Sequence, residues 1–266
     1  MKMNLIRNEL FLNRRSFLIS GAVILLFSAM FAGMADMYLS NELMVDMLKT
    51  MPQGLLDAFG MDAELMTTFE GWMAGEPFMF TVLLLGAFSG IWAATSISKE
   101  KDQQTGEFLF TLPYSRTSIF FHKILAQFIQ ITAISIVNLL IVFTFGSLFS
   151  SIDSPKTVMM LMLGAYFISL AFAGIGYAIT SILSSERAAI SLGVGIVLVS
   201  FLLNMLSSLN EKLNWMADFS LFSTFDTKQI VLEASLTMPG IFITLGIYLA
   251  GILIGNIIFV RRDITM

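Results

Sequence analysis

Residues 98–123 read S-K-E-K-D-Q-Q-T-G-E-F-L-F-T-L-P-Y-S-R-T-S-I-F-F-H-K, and seven of them are charged: Lys99, Glu100, Lys101, Asp102, Glu107, Arg116 and Lys123. The stretch lies between two apolar runs, 78–97 and 124–149, that contain no charged residue at all. Each of those runs is long enough to cross a bilayer as a helix. A chain that keeps its spans apolar and gathers charge into one loop is expected to take its instructions through that loop.

Working outward, the same pattern repeats along the chain. Six apolar runs occur, at 17–35, 78–97, 124–149, 157–183, 188–209 and 241–260, with 19, 20, 26, 27, 22 and 20 residues. About 20 residues are needed to span the hydrocarbon core. The runs are continuously apolar rather than alternating, which predicts helices and not a membrane barrel. The whole 266-residue chain is 56% hydrophobic with a mean hydropathy of +0.82, beyond the range of a soluble domain. The expected fold class is therefore an all-α integral membrane protein, a single transmembrane domain with six spans.

Basic residues give the orientation. The segments on the side of residues 98–123 hold eleven Lys and Arg, and the opposite segments hold four: Lys49, Lys156, Lys212 and Lys228. The positive-inside rule then places both termini and residues 98–123 in the cytoplasm. Within 1–16, Met3, Ile6 and Leu10 recur at helical spacing among Lys2, Arg7, Arg14 and Arg15. That segment reads either as an interfacial helix reaching lipid headgroups or as a basic flank that sets orientation. No small-x-small cleavage site follows, so a signal peptide is not expected.

Two longer segments fall on the far side. Residues 36–77 carry eight acids against Lys49 alone, and Leu43, Met44, Met47, Leu48 and Met51 mark an amphipathic helix between Ser40 and Pro52. A weaker helix is expected over Met61 to Trp72. The pair reads as a gate over an exit or as a packed cap. Residues 210–239 carry Trp215, Phe219, Phe222 and Phe225 among polar residues, the composition of a segment dipping into the outer interface. By contrast, 150–156 and 184–187 are tight connections that make neighbouring spans antiparallel. Gly86, Gly90, Gly174, Gly176, Gly193, Gly195, Gly251 and Gly255 are candidate points of close helix approach.

Several chemistries are excluded. The chain has no Cys and one His, so thiolate and imidazole metal clusters are not expected, and no metal site is assigned. No G-x-x-x-x-G-K-[ST] loop, G-x-S-x-G elbow or H-E-x-x-H helix is present, so no catalytic residue is assigned and no ATP site is expected in this chain. His122 reads as an interfacial residue. Without charges inside the spans, ion-coupled transport has no relay. Gln127, Gln130, Thr132, Ser135, Asn138, Asn204 and Asn256 remain as neutral polar groups, of the kind that bond a neighbouring helix.

Within residues 98–123, the second span continues as a helix into Lys99–Asp102 and Gly106 permits a sharp turn. Glu107 to Leu112 then forms about one and a half turns, with Phe108, Leu109 and Leu112 on one side. Pro113 ends it. Ser115 caps the next helix, and Arg116 stands ready for carboxylates or lipid phosphates. The product is a short amphipathic helix below the membrane, a natural knob for a partner's groove.

Glu100, the Thr105-Gly106-Glu107 run, Leu109, Pro113, Ser115, Arg116 and Lys123 resemble the E…G-T-x-E-x-L…P-x-S-R…K signature of ABC-2 type transporter permeases. The order Thr105-Gly106 departs from the Gly-Thr of many members, which bears on the shape of the turn. The likeness extends to the six-span layout, the basic N-terminal segment, the long first outer loop with M-P-Q-G-L-L-D-A-F-G, and the aromatic dip. It implies an ABC-2 type, type V exporter-like permease fold and the permease subunit of a bacterial ABC exporter in the cytoplasmic membrane. It also implies that Glu100, Gly106, Glu107, Phe108, Leu109, Leu112, Pro113 and Arg116 form the ATPase-coupling region. Two copies of a separate ATPase subunit, holding ATP and Mg, and a second permease, identical or paralogous, are the implied partners. Membrane lipids surround them and nucleic acid has no part. Spans rich in Phe, Met and Leu suit a hydrophobic or amphipathic cargo such as a peptide antibiotic, a drug or a lipid-like molecule. An ATPase-independent channel or secondary carrier, and a membrane enzyme or scaffold, are the competing readings.

Overall fold

The computed structural model describes residues 2–40, 47, 50–58, 65–102 and 114–261. Among them the structure is all helical, with no strand. Six helices are long and apolar enough to cross a membrane. They are α1 (Lys2–Leu39), α4 (Glu76–Asp102), α5 (Arg116–Phe149), α6 (Pro155–Ile182), α7 (Glu186–Leu209) and α9 (Met238–Arg261). Three short ones lie at the end away from the termini: α2 (Gln53–Ala58), α3 (Phe69–Ala74) and α8 (Thr227–Glu233). The first amphipathic helix read in 36–77 falls largely outside the described residues, as do Met61 to Glu64 of the second, whose remainder forms a 3-10 turn at Leu65–Thr67 followed by α3.

Burial sorts the spans into two layers. The most apolar windows of α4 and α6 are 61% and 67% buried, whereas those of the other four are 22–28% buried. α4 and α6 thus form the inner pair, packed most extensively on each other, while α9 covers α6, α7 covers α4, and α1 pairs with α5. The close approaches occur at glycines. A Cβ on Gly251 of α9 would lie 2.0 Å from the Gly174 carbonyl oxygen of α6, and one on Gly176 would lie 2.7 Å from the Gly90 carbonyl oxygen of α4. Only hydrogen fits in those gaps, so the backbones themselves touch and gain dispersion contacts that lipid cannot replace. Gly195 differs: its Cβ position is open.

α1 is one unbroken helix of 38 residues, so the basic segment before residue 17 and the first span are continuous. Composition divides them because it reports polarity, whereas nothing at the junction breaks a helix. The Trp92 indole of α4 donates to the Ser16 hydroxyl at 3.1 Å, tying that junction to the bundle. At 1.5 Å per residue α1 is about 57 Å long and the 34-residue α5 about 51 Å, against a hydrocarbon core of about 30 Å. Both overshoot the apolar layer.

At the far end α3 packs into the bundle. All of α3 is buried, with the Trp72 indole donating to the Phe31 carbonyl at 2.9 Å and its ring stacked on Tyr38 at 4.3 Å between centroids. Phe69 rests against Gly146 of α5. In the segment after α7 the four aromatics divide. Trp215 and Phe219 are exposed on a 3-10 stretch at Glu211–Phe219, and Phe222 and Phe225 are buried in the core with Phe172 and Phe78.

Candidate functional site

The end of the bundle where α1 begins and α9 finishes carries a buried ion cluster, built from three helices. Lys123, two turns into α5, places its ammonium 2.6 Å from Glu9 Oε1 of α1 and in direct contact with Glu100 Oε1 of α4. The Lys123 and Glu9 side chains are 2% and 6% exposed, and Glu100 is 13% exposed. Beside them the Lys99 ammonium donates to the Asn13 amide oxygen of α1 at 2.6 Å and feels both carboxylates electrostatically. Two carboxylates and two ammonium groups make the cluster formally neutral.

Such a cluster is costly to build. Removing each charge from water costs several kcal/mol, which is recovered only with close contacts. Apolar side chains of similar size would hold three helices together as well or better. Ion pairs instead fix which residue faces which, so this cluster specifies a register among α1, α4 and α5.

Its position decides what that register governs. α4 ends at Asp102 and α5 begins at Arg116, so Glu100 and Lys123 stand on either side of residues 103–113. Two further contacts fix the margins. The Asp102 carboxylate accepts from the Glu186 amide at 3.3 Å, capping α7 from another helix where its own Ser185 side chain does not. Arg116 donates to the Val260 carbonyl in the last turn of α9, a favourable place for a cation, and Ser115 caps α5 by accepting from the Ser118 amide at 3.2 Å. All six spans therefore supply residues to this end or adjoin it, with Ile97 and Ser98 amides donating to the Thr180 hydroxyl near the end of α6.

Of the residues singled out from sequence, Glu100 and Arg116 are thus placed at the two margins of the loop. Gly106, Glu107, Phe108, Leu109, Leu112 and Pro113 lie outside the described residues. Sequence reasoning overlooked Glu9 and Asn13 and gave Lys123 no role of its own. A signal existed: Glu9 is the sole acid in residues 1–35, set among four basic residues. His122 is half-buried, donates from Nδ1 to the Ser118 carbonyl one turn back and stands near Tyr114. Among the described residues no group of His, Asp and Glu could hold a metal.

Three of the seven neutral polar groups in the spans bond a neighbouring helix. The Gln127 amide donates to the Trp92 carbonyl at 2.6 Å, and the Thr132 and Tyr166 hydroxyls pair at 2.9 Å. Asn138 contacts the Met162 sulfur at 3.5 Å.

Comparison with known proteins gives the class. The family model described as ABC-2 family transporter protein matches residues 3–264, nearly the whole chain. The chain belongs to this family of membrane transport proteins, and its six apolar helices fit a multi-pass permease. No curated protein matches it.

Proposed function

We propose that this chain is the permease subunit of an ATP-binding cassette exporter, driven by a separate ATPase subunit that docks on the loop of residues 98–123. The termini and that loop face the bacterial cytoplasm in this reading, and two permeases, identical or paralogous, stand above two ATPases that hold ATP and Mg. Cargo is hydrophobic or amphipathic, in keeping with apolar, uncharged spans.

The observation that carries the reading is the ion cluster formed by Lys123, Glu9 and Glu100. It locks together the two helix ends from which the loop hangs and joins both to α1. A push delivered at 103–113 then reaches α1, α4 and α5 as one displacement, rather than being absorbed by splaying of α4 from α5. α4 carries it across the membrane as a member of the inner pair.

The test begins with the full chain, tagged and gently extracted from native membranes, with co-purifying proteins identified by mass spectrometry. Recovery of a Walker-type ATPase with the wild type and its loss from a Glu107→Arg, Phe108→Asp double variant is expected. A second permease in the same sample distinguishes a heterodimer from a homodimer. A well-folded wild-type chain that repeatedly comes out without an ATPase, and that supports ion-gradient-driven flux in liposomes, overturns the proposal.

A further inference from the structure

The far end of α4 opens on a cleft of about 440 Å³ between the start of α4, the end of α7 and the start of α8. Its walls are of two kinds. Phe78 and Phe222, both buried, give an apolar floor, and Asp57, Asp226, Lys228 and Asn204 supply polar groups. The volume is in the range of small-molecule sites, and an apolar floor with a few polar groups is their usual composition.

The polar groups are not equivalent. Lys228 is engaged with Asp57 at 3.1 Å, a pair that bridges α2 and α8 across the cleft. Asp226 accepts from the Lys228 and Gln229 amides through Oδ1 and makes no ion pair among the described residues. The Asn204 side-chain amide lines the same cleft and forms no hydrogen bond among the described residues, unlike Gln127 deeper in the bundle. Two carboxylates against one ammonium leave the cleft with a net negative charge, beside an uncommitted amide and aromatic faces that attract cations.

We infer that this cleft binds a cationic amphipath: an organic ammonium facing Asp226 and Asn204, with its apolar body between Phe78 and Phe222. Asn204 accepts a hydrogen bond through its oxygen, Asp226 supplies the charge, and the phenyl rings cover the hydrocarbon part. The idea that such a molecule is cargo on its way out rests on the export reading above; the binding does not. The same chemistry fits a free amine or the headgroup of an aminolipid.

The test uses the purified full chain in detergent, with rhodamine 6G as the cationic probe and sulforhodamine B as its anionic counterpart, both followed by fluorescence anisotropy. Asp226→Asn removes the charge and keeps an equally good helix cap, and Asn204→Leu removes the amide at similar size. Saturable binding of the cation, weakened about tenfold or more in each variant as expected for loss of a charge-assisted hydrogen bond, supports the site. Equal binding of the anionic dye, or affinity unchanged in both variants while their thermal unfolding matches wild type, overturns it. Adding phosphatidylethanolamine to a phosphatidylglycerol background then separates the sources: displacement assigns the site to a lipid ammonium, and no displacement to a free one. No ATPase is involved, so failure here leaves the docking reading standing, and failure of ATPase capture leaves this measurement interpretable.

Discussion

The ammonium of Lys123 sits 2.6 Å from the carboxylate of Glu9, although 114 residues separate them in the chain. Neither group has a reason to leave water alone. Together with Glu100 they join the helix that opens the chain to the two helices bordering residues 103–113.

Replacing the lysine alone exposes what the cluster costs. Lys123→Met leaves Glu9 and Glu100 buried and facing each other, and breaking a buried pair in this way costs about 3–5 kcal/mol. The combined Glu9→Gln, Glu100→Gln, Lys123→Met variant removes three of the four charges, leaves Lys99 on the Asn13 amide oxygen, and should regain part of that loss. Thermal unfolding of the detergent-solubilised variants reads both outcomes. Equal destabilisation by the single and triple changes would show that packing, not charge, holds the three helices.

Glycine contacts make a second, independent prediction. Gly251→Ala places a methyl 2.0 Å from the Gly174 carbonyl oxygen, so α9 must move away from α6, whereas Gly195→Ala meets nothing within 4 Å. The first change is expected to lower stability by about 1–3 kcal/mol, the usual cost of overpacking. The second is expected to be silent or slightly stabilising in the same unfolding assay, because alanine is the better helix former.

Orientation is directly measurable because the chain has no cysteine of its own. Single replacements Thr105→Cys and Ser235→Cys report the two ends of the bundle. In intact cells a membrane-impermeant maleimide should label Ser235→Cys and spare Thr105→Cys until the membrane is opened. The reverse pattern would invert the proposed topology and remove the loop from reach of a cytoplasmic ATPase.

How much of this was legible beforehand depends on range along the chain. Six spans were readable because each is a local, continuous apolar run. The Ser115 cap and the helical extension of α4 through Asp102 were readable for the same reason, being set by residues within one turn. The pairing of Glu9 with Lys123 was not, since no periodicity links residues in different helices. The division of Trp215 and Phe219 from Phe222 and Phe225 was also hidden: the four share a composition, and only the fold decides which pair turns inward.

One consequence of α4 is arithmetic. The helix runs 27 residues, about 40 Å, from Glu76 beside the cleft to Asp102 beside the ion cluster, and its lone proline, Pro77, sits in the first turn where it does not kink the rod. A rigid rod pivoting about one end converts angle into travel. A tilt of about 4° over that length moves the opposite end by about 3 Å, on the order of one side-chain contact. A rotation of that size at Glu100 therefore shifts Phe78, in the first turn of α4, by about one side-chain contact against the rest of the cleft lining, with no helix unwound and no loop refolded.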